Sequence, residues 1–194
     1  MNSEPSRVSG LVVTAAISSI RTNYGDPLLH RALQKLTPEE RQSLTSTGTP
    51  LRWIDVSLHE RFLDYCYEEA RLLSGESRET FDQRGIEEGG GTLIKGAYRF
   101  IFSMISTTKI LDRVLSLQKK SYNNIDITEI NNQKESFSVT ITIPEDMRHP
   151  ALREVNYGYI YILKMANQTI KNHKTEITQQ NKNYKIKCTI KYTA

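Results

Sequence analysis

The sequence predicts an α+β protein: an N-terminal helical bundle joined to a four-stranded antiparallel sheet in the order β-β-α-β-β, with one helix covering the sheet. Up to Ser121 apolar residues recur at three-to-four spacing, the period of amphipathic helices. From Tyr122 they alternate one by one, the period of strands with one wet face. A helical stretch from Pro150 to about Asn172 separates two such alternating segments. The expected organisation is a disordered N-terminus over 1–7, a helical part over 8–121 and a sheet part over 122–194, all in one compact unit.

The elements follow in order. Leu11, Val12, Ala15, Ala16, Ser19 and Ile20 place a helix from Val8 to about Asn23, closed by Tyr24-Gly25. Asp26 and Pro27 open a second helix to Thr37. Thr37-Pro38-Glu39-Glu40 is a capping-box start for a short helix to Leu44. A Ser/Thr/Gly/Pro-rich loop leads to Trp53, and Ser57-x-x-Glu60 starts a long helix ended by Ser74-Gly75. A helix over about 76–88 meets Gly89-Gly90-Gly91, where three adjacent glycines favour a break, and Thr92 to Ile105 is apolar enough to be buried on most sides. Ser106 to about Gln118 forms the last helix of the bundle.

Beyond Tyr122, Ile125 and Ile127 form one strand. Phe137, Val139, Ile141 and Ile143 form the next, after a turn at 132–134. In the second hairpin Thr175 to Gln179 precedes Tyr184 to Tyr192, where Tyr184, Ile186, Cys188, Ile190 and Tyr192 share one face and Lys185, Lys187, Thr189 and Lys191 the other.

Composition narrows the function classes. The 194 residues are 38% hydrophobic and 25% charged, with a mean hydropathy of -0.50. No apolar run approaches the roughly 20 residues a membrane helix needs, so no membrane span and a cytoplasmic location are expected. Two isolated cysteines, Cys66 and Cys188, rule out a disulfide framework or a cysteine-rich zinc site as organising principle. Residues 1–97 carry 11 Lys/Arg against 14 Asp/Glu, and 98–194 carry 15 against 8. The basic half raises nucleic acid as a partner, yet Tyr184, Ile186 and Tyr192 lie opposite the lysines, so the stacking platform of such a surface is absent. Lysine alternating along a solvated strand explains the charge, and nucleic acid is disfavoured.

No catalytic constellation stands out. His30, His59, His149 and His173 sit on separate elements; His59 lacks a second histidine one turn on, where Leu63 stands, and reads as a surface histidine. The glycines at 85, 89, 90, 91 and 96 fit neither a P-loop nor a dinucleotide loop. No serine occupies a G-x-S-x-G elbow. Ten tyrosines are the compositional excess; Tyr157 and Tyr161 are i, i+4 neighbours away from the core stripe of Tyr159, a contact surface for a partner.

The chain resembles an uncharacterised bacterial family first described from paralogues in myxobacteria, through Gly10, Tyr24-Gly25, Leu36-Thr37-Pro38-Glu39-Glu40, Trp53, Gly85, Tyr98-Arg99-Phe100 and Tyr157-Gly158-Tyr159, over about residues 8–192. Members share the ligand-binding fold of the heme-nitric-oxide-binding, 4-vinyl-reductase and TRAPP-type domains. The resemblance implies a sensor or scaffold module and no catalytic residues. Heme-binding relatives supply an axial histidine from the helix before the first hairpin and a Tyr-x-Ser-x-Arg motif; Ser106 to Ser121 has no histidine and the motif is absent, so heme and other cofactors are not expected.

The expected function is a non-catalytic bacterial signalling or sensor module that binds a small apolar ligand or a signalling protein, with a homodimer as one form of contact. The alternatives are a nucleic-acid-binding module using the basic last strand, and an enzyme whose site is assembled only by the fold. Trp53, Tyr98, Phe102 and Tyr159 are the expected ligand-binding residues; Tyr157, Tyr161, Lys185, Lys187 and Lys191 are the expected partner-binding residues.

Overall fold

A computed structural model describes residues 4–46, 52–94 and 106–193. The protein is α+β, and its contacts divide it into two compact units, Met1–Leu93 and Ile94–Ala194. Within the second unit, the helix that follows Ser106 packs with the sheet.

The N-terminal unit opens on β1 (Arg7–Ser9), α1 (Gly10–Gln34), α2 (Pro38–Thr45), β2 (Trp53–Asp55), α3 (Val56–Ser74) and α4 (Arg78–Ile94). β1 pairs antiparallel with β2, Val8 opposite Ile54. Within the stretch 1–7 expected to be disordered, of which residues 1–3 lie outside the described residues, Ser6 is buried, its carbonyl accepts from Val56 N–H at 3.0 Å, and Arg7 is a strand residue. Backbone pairing to a segment some 45 residues away holds this stretch, which local periodicity does not register. α1 joins the two helices expected at its place, with a break at Gly25, whose φ of 80° suits glycine, and Pro27 beyond it. The capping box at α2 forms as read: Glu40 N–H donates to Thr37 Oγ1 at 3.2 Å and Thr37 N–H to Glu40 Oε2 at 3.0 Å.

Two further expectations are corrected here. His59 is 3% exposed, because it lies on the inward face of α3 with Phe62, Leu63, Cys66 and Ala70. The glycine triplet does not break a helix: α4 runs through it, and Gly89 lies buried where α4 meets α1, with an added Cβ 3.6 Å from the Ala15 carbonyl. Most of the apolar stretch from Thr92 to Ile105 lies outside the described residues.

The C-terminal unit holds α5 (Thr107–Ser121), β3 (Asp126–Gln133), β4 (Ser136–Pro144), α6 (Arg148–Arg153), a π-helical turn (Glu154–Gly158), α7 (Tyr159–Met165), β5 (Thr169–Gln180) and β6 (Asn183–Thr193). The sheet order is β3-β4-β6-β5, antiparallel throughout. Phe137, Val139, Ile141 and Ile143 of β4 stand opposite Ile190, Cys188, Ile186 and Tyr184 of β6, so the central apolar face is built from the two alternating runs. Val155, Tyr159, Ile162 and Leu163 bury the helical run against it. That run ends at Met165, before the expected Asn172. Asn167 turns left-handed (φ 58°), and Gln168 N–H donates to the Leu163 carbonyl at 2.9 Å, releasing Thr169 into β5. α5 packs on β3 and α7, where Asn132 Nδ2 donates to the Thr108 carbonyl at 2.7 Å.

Candidate functional site

The expected ligand residues fall into different settings. Trp53 lies on β2 and is 43% exposed, the large aromatic that the N-terminal unit offers to solvent among its described residues. Tyr98 and Phe102 lie outside the described residues. Tyr159 is a core side chain of the C-terminal unit: its ring meets Phe137 edge-on at 5.1 Å and its hydroxyl donates to Gln118 Oε1.

The partner residues occupy two surfaces. Tyr157 and Tyr161 are half-buried on the helical run, Tyr157 within the π turn. Lys185, Lys187 and Lys191 project from the open face of β6. Their charge is not unopposed. Glu129 approaches Lys185 at 3.4 Å and accepts from Thr140 Oγ1 at 2.8 Å, and Glu176 stands opposite Lys187 in the β5–β6 register. Both carboxylates are held below their ordinary range, Glu129 by Thr140 and Lys185, Glu176 by Lys174.

Sequence reasoning missed the polar groups under the helical run. Gln118 is 6% exposed and its Nε2 has no partner, an amide donor left over after Oε1 accepts from Tyr159. Thr175 Oγ1 donates to Asn156 Oδ1 at 3.0 Å and lies 3.2 Å from His173 Nε2. Desolvation lowers the His173 pKa, partly offset by the Val155 backbone, and raises that of Glu154, whose carboxylate lies over Gly158. The π turn creates this arrangement, and no periodicity rule anticipates a π turn.

In the N-terminal unit, Tyr24 stacks on Phe81 at 5.8 Å and Tyr67 meets Phe81 edge-on at 5.7 Å. Arg84 lies over Tyr24 and within 3.6 Å of the buried Glu76 carboxylate. Burial and Glu76 push the Tyr24 hydroxyl well up, so it stays protonated. This cluster ties the α1 break to α4.

Nothing assembles a reaction centre among the described residues. Among the described residues no group of three or more His, Cys, Asp or Glu is placed to hold a metal ion. Burial pushes the Cys188 thiol up to about 12 and the Cys66 thiol higher still, so neither is a thiolate at neutral pH. α5 turns Ile110, Leu111, Leu115 and Gln118 inward, none of them an iron ligand found in hemoproteins. Among the described residues no helix is long and apolar enough to cross a membrane.

No family model matches the chain, and no curated protein sequence does. Solved structures do. An oxygen-binding H-NOX domain related to soluble guanylate cyclases, solved as its oxygen complex, is similar over 96% of this chain and 95% of its own, at 16% identity and a TM-score of 0.69. A T. tengcongensis H-NOX variant matches over 96% and 98% at 14% identity and a TM-score of 0.68. The Fe(II) unliganded H-NOX protein from K. algicida matches over 96% and 97% at 12% identity and a TM-score of 0.65. The chain has the H-NOX fold.

Proposed function

We propose that this chain is a non-catalytic sensor module of H-NOX fold that takes a small apolar ligand or a signalling protein without holding heme through a histidine. The observation that carries the reading is the joint one at α5: the fold matches H-NOX domains along nearly its whole length, while α5 presents Ile110, Leu111, Leu115 and Gln118 inward and contains no histidine. The resemblance that implies a ligand-binding fold also implies an axial histidine on this helix for those members that bind heme. The residues present do not fit that group.

Trp53, Tyr98, Phe102 and Tyr159 stay in the proposal as ligand-binding residues, and Tyr157, Tyr161, Lys185, Lys187 and Lys191 as partner contacts. A nucleic-acid partner gains no support from the basic strand, since Glu129 and Glu176 oppose Lys185 and Lys187.

The test is native mass spectrometry of the purified protein, extraction of any bound molecule, and an absorption spectrum before and after equilibration with hemin. The expected result is an apolar small molecule or a co-purifying protein and no stoichiometric Soret band. Retention of one heme per chain through gel filtration overturns the reading.

A further inference from the structure

We propose that two copies of this chain pair through the free edges of β5, antiparallel about a two-fold axis at Thr175. The sheet order leaves β5 and β3 as its edges. β3 is interrupted between Thr128 and Asn131, with Glu129 at a φ of 50°, a feature that spoils an edge for pairing. β5 keeps a single register with β6 from Asn172 to Gln180 and contains neither proline nor glycine there.

Charge selects the register. A symmetric antiparallel pair keeps each side chain on its own face only if the axis passes through a residue. An axis at Lys174 or Glu176 sets like charges directly opposite each other. One at His173 or Ile177 leaves both charges facing neutral partners. At Thr175, Lys174 of each copy faces Glu176 of the other, twice. The Lys174–Glu176 pair within one chain, at 2.6 Å, becomes part of a ladder of four alternating charges on the open face.

The helix-side face agrees with that register. Ile177 is 44% exposed, although it belongs to the same face as the buried core of β6. Pairing at Thr175 sets it against His173 of the second copy and covers it. Edge lysines ordinarily deter pairing; here Lys174 disfavours an axis at itself and, with Glu176, favours the one at Thr175 over the neutral registers. The ladder runs over 172–178 and supplies about six to eight main-chain hydrogen bonds, which suits a dimer of about micromolar affinity.

Sedimentation velocity of the full chain, from low to hundreds of micromolar, tests this. The protein is expected to dimerise, and Lys174→Glu or Glu176→Lys alone to weaken the dimer about tenfold or more. The double variant K174E/E176K restores it, and Ile177→Lys weakens it. Circular dichroism melts confirm that each variant folds. A monomer throughout the range overturns the proposal, and so does a dimer indifferent to the single swaps or one the double swap fails to restore. The outcome is independent of which ligand the module takes.

Discussion

The hydroxyl of Tyr159 donates to Oε1 of Gln118, joining α7 to α5 across 41 positions of sequence inside the C-terminal unit. Both side chains are buried, and the remaining amide hydrogens of Gln118 have no acceptor. Tyr159→Phe therefore strands the whole amide. A loss of about 1–3 kcal/mol is expected in urea unfolding. Gln118→Leu in the Tyr159→Phe background should recover part of it, because an apolar pair leaves no orphan. A double variant no more stable than Tyr159→Phe would show that the amide finds other partners.

Glu154 carries a desolvated carboxylate, and its pKa is raised. The folded state then holds its proton more tightly than the unfolded state, so this group favours folding below about pH 4.5 and opposes it as pH rises through the folded-state pKa. Glu154→Gln is expected to raise Tm at pH 7 and to leave it unchanged near pH 4. Thermal melts at the two pH values decide it.

His173 works in the opposite direction. Desolvation lowers its pKa, so the unfolded chain takes the proton first as pH falls below about 6.5. The stability tied to neutral His173 is present above that value and is lost as pH drops through the depressed folded pKa. His173→Gln should flatten the stability profile over that window; an unchanged slope would assign it to other groups.

Gly158 sits where a Cβ would come within 2.7 Å of Glu154 Oε2. Gly158→Ala gains up to ~1 kcal/mol of helix propensity but displaces that carboxylate. The substitution is expected to be near neutral alone and stabilising once Glu154 is alanine, a coupling that a double-mutant cycle in urea measures.

At the N-terminal unit, Thr37→Ala removes an acceptor from Glu40 N–H and opens the capping box. About 1 kcal/mol is the expected loss. Thr37→Ser should retain most of it.

Local chemistry was readable in the sequence wherever a short pattern encodes it. The Thr37 to Glu40 box, the Gly25 break and the alternation over Phe137 to Ile143 and Tyr184 to Tyr192 each appear in the structure as read. What escaped depends on distant partners. Arg7 to Ser9 is a strand only because Trp53 to Asp55 lies alongside it. His59 is buried because its helix places it with Phe62 and Cys66, and polarity alone argued the other way. Gly89 stays helical because Ala15 packs against it. Of the site, the missing histidine of α5 was legible, being a matter of residue type. The Gln118 to Tyr159 link and the π turn at Glu154 were not, since both arise from packing.

The two cysteines, Cys66 and Cys188, fall one in each unit, both free and both shut away from water. A thiol-specific alkylating reagent can reach each sulfur only when its own half of the molecule opens. Labelling followed by peptide mapping would therefore time the breathing of the two halves separately in the unmodified protein, with no engineered probe.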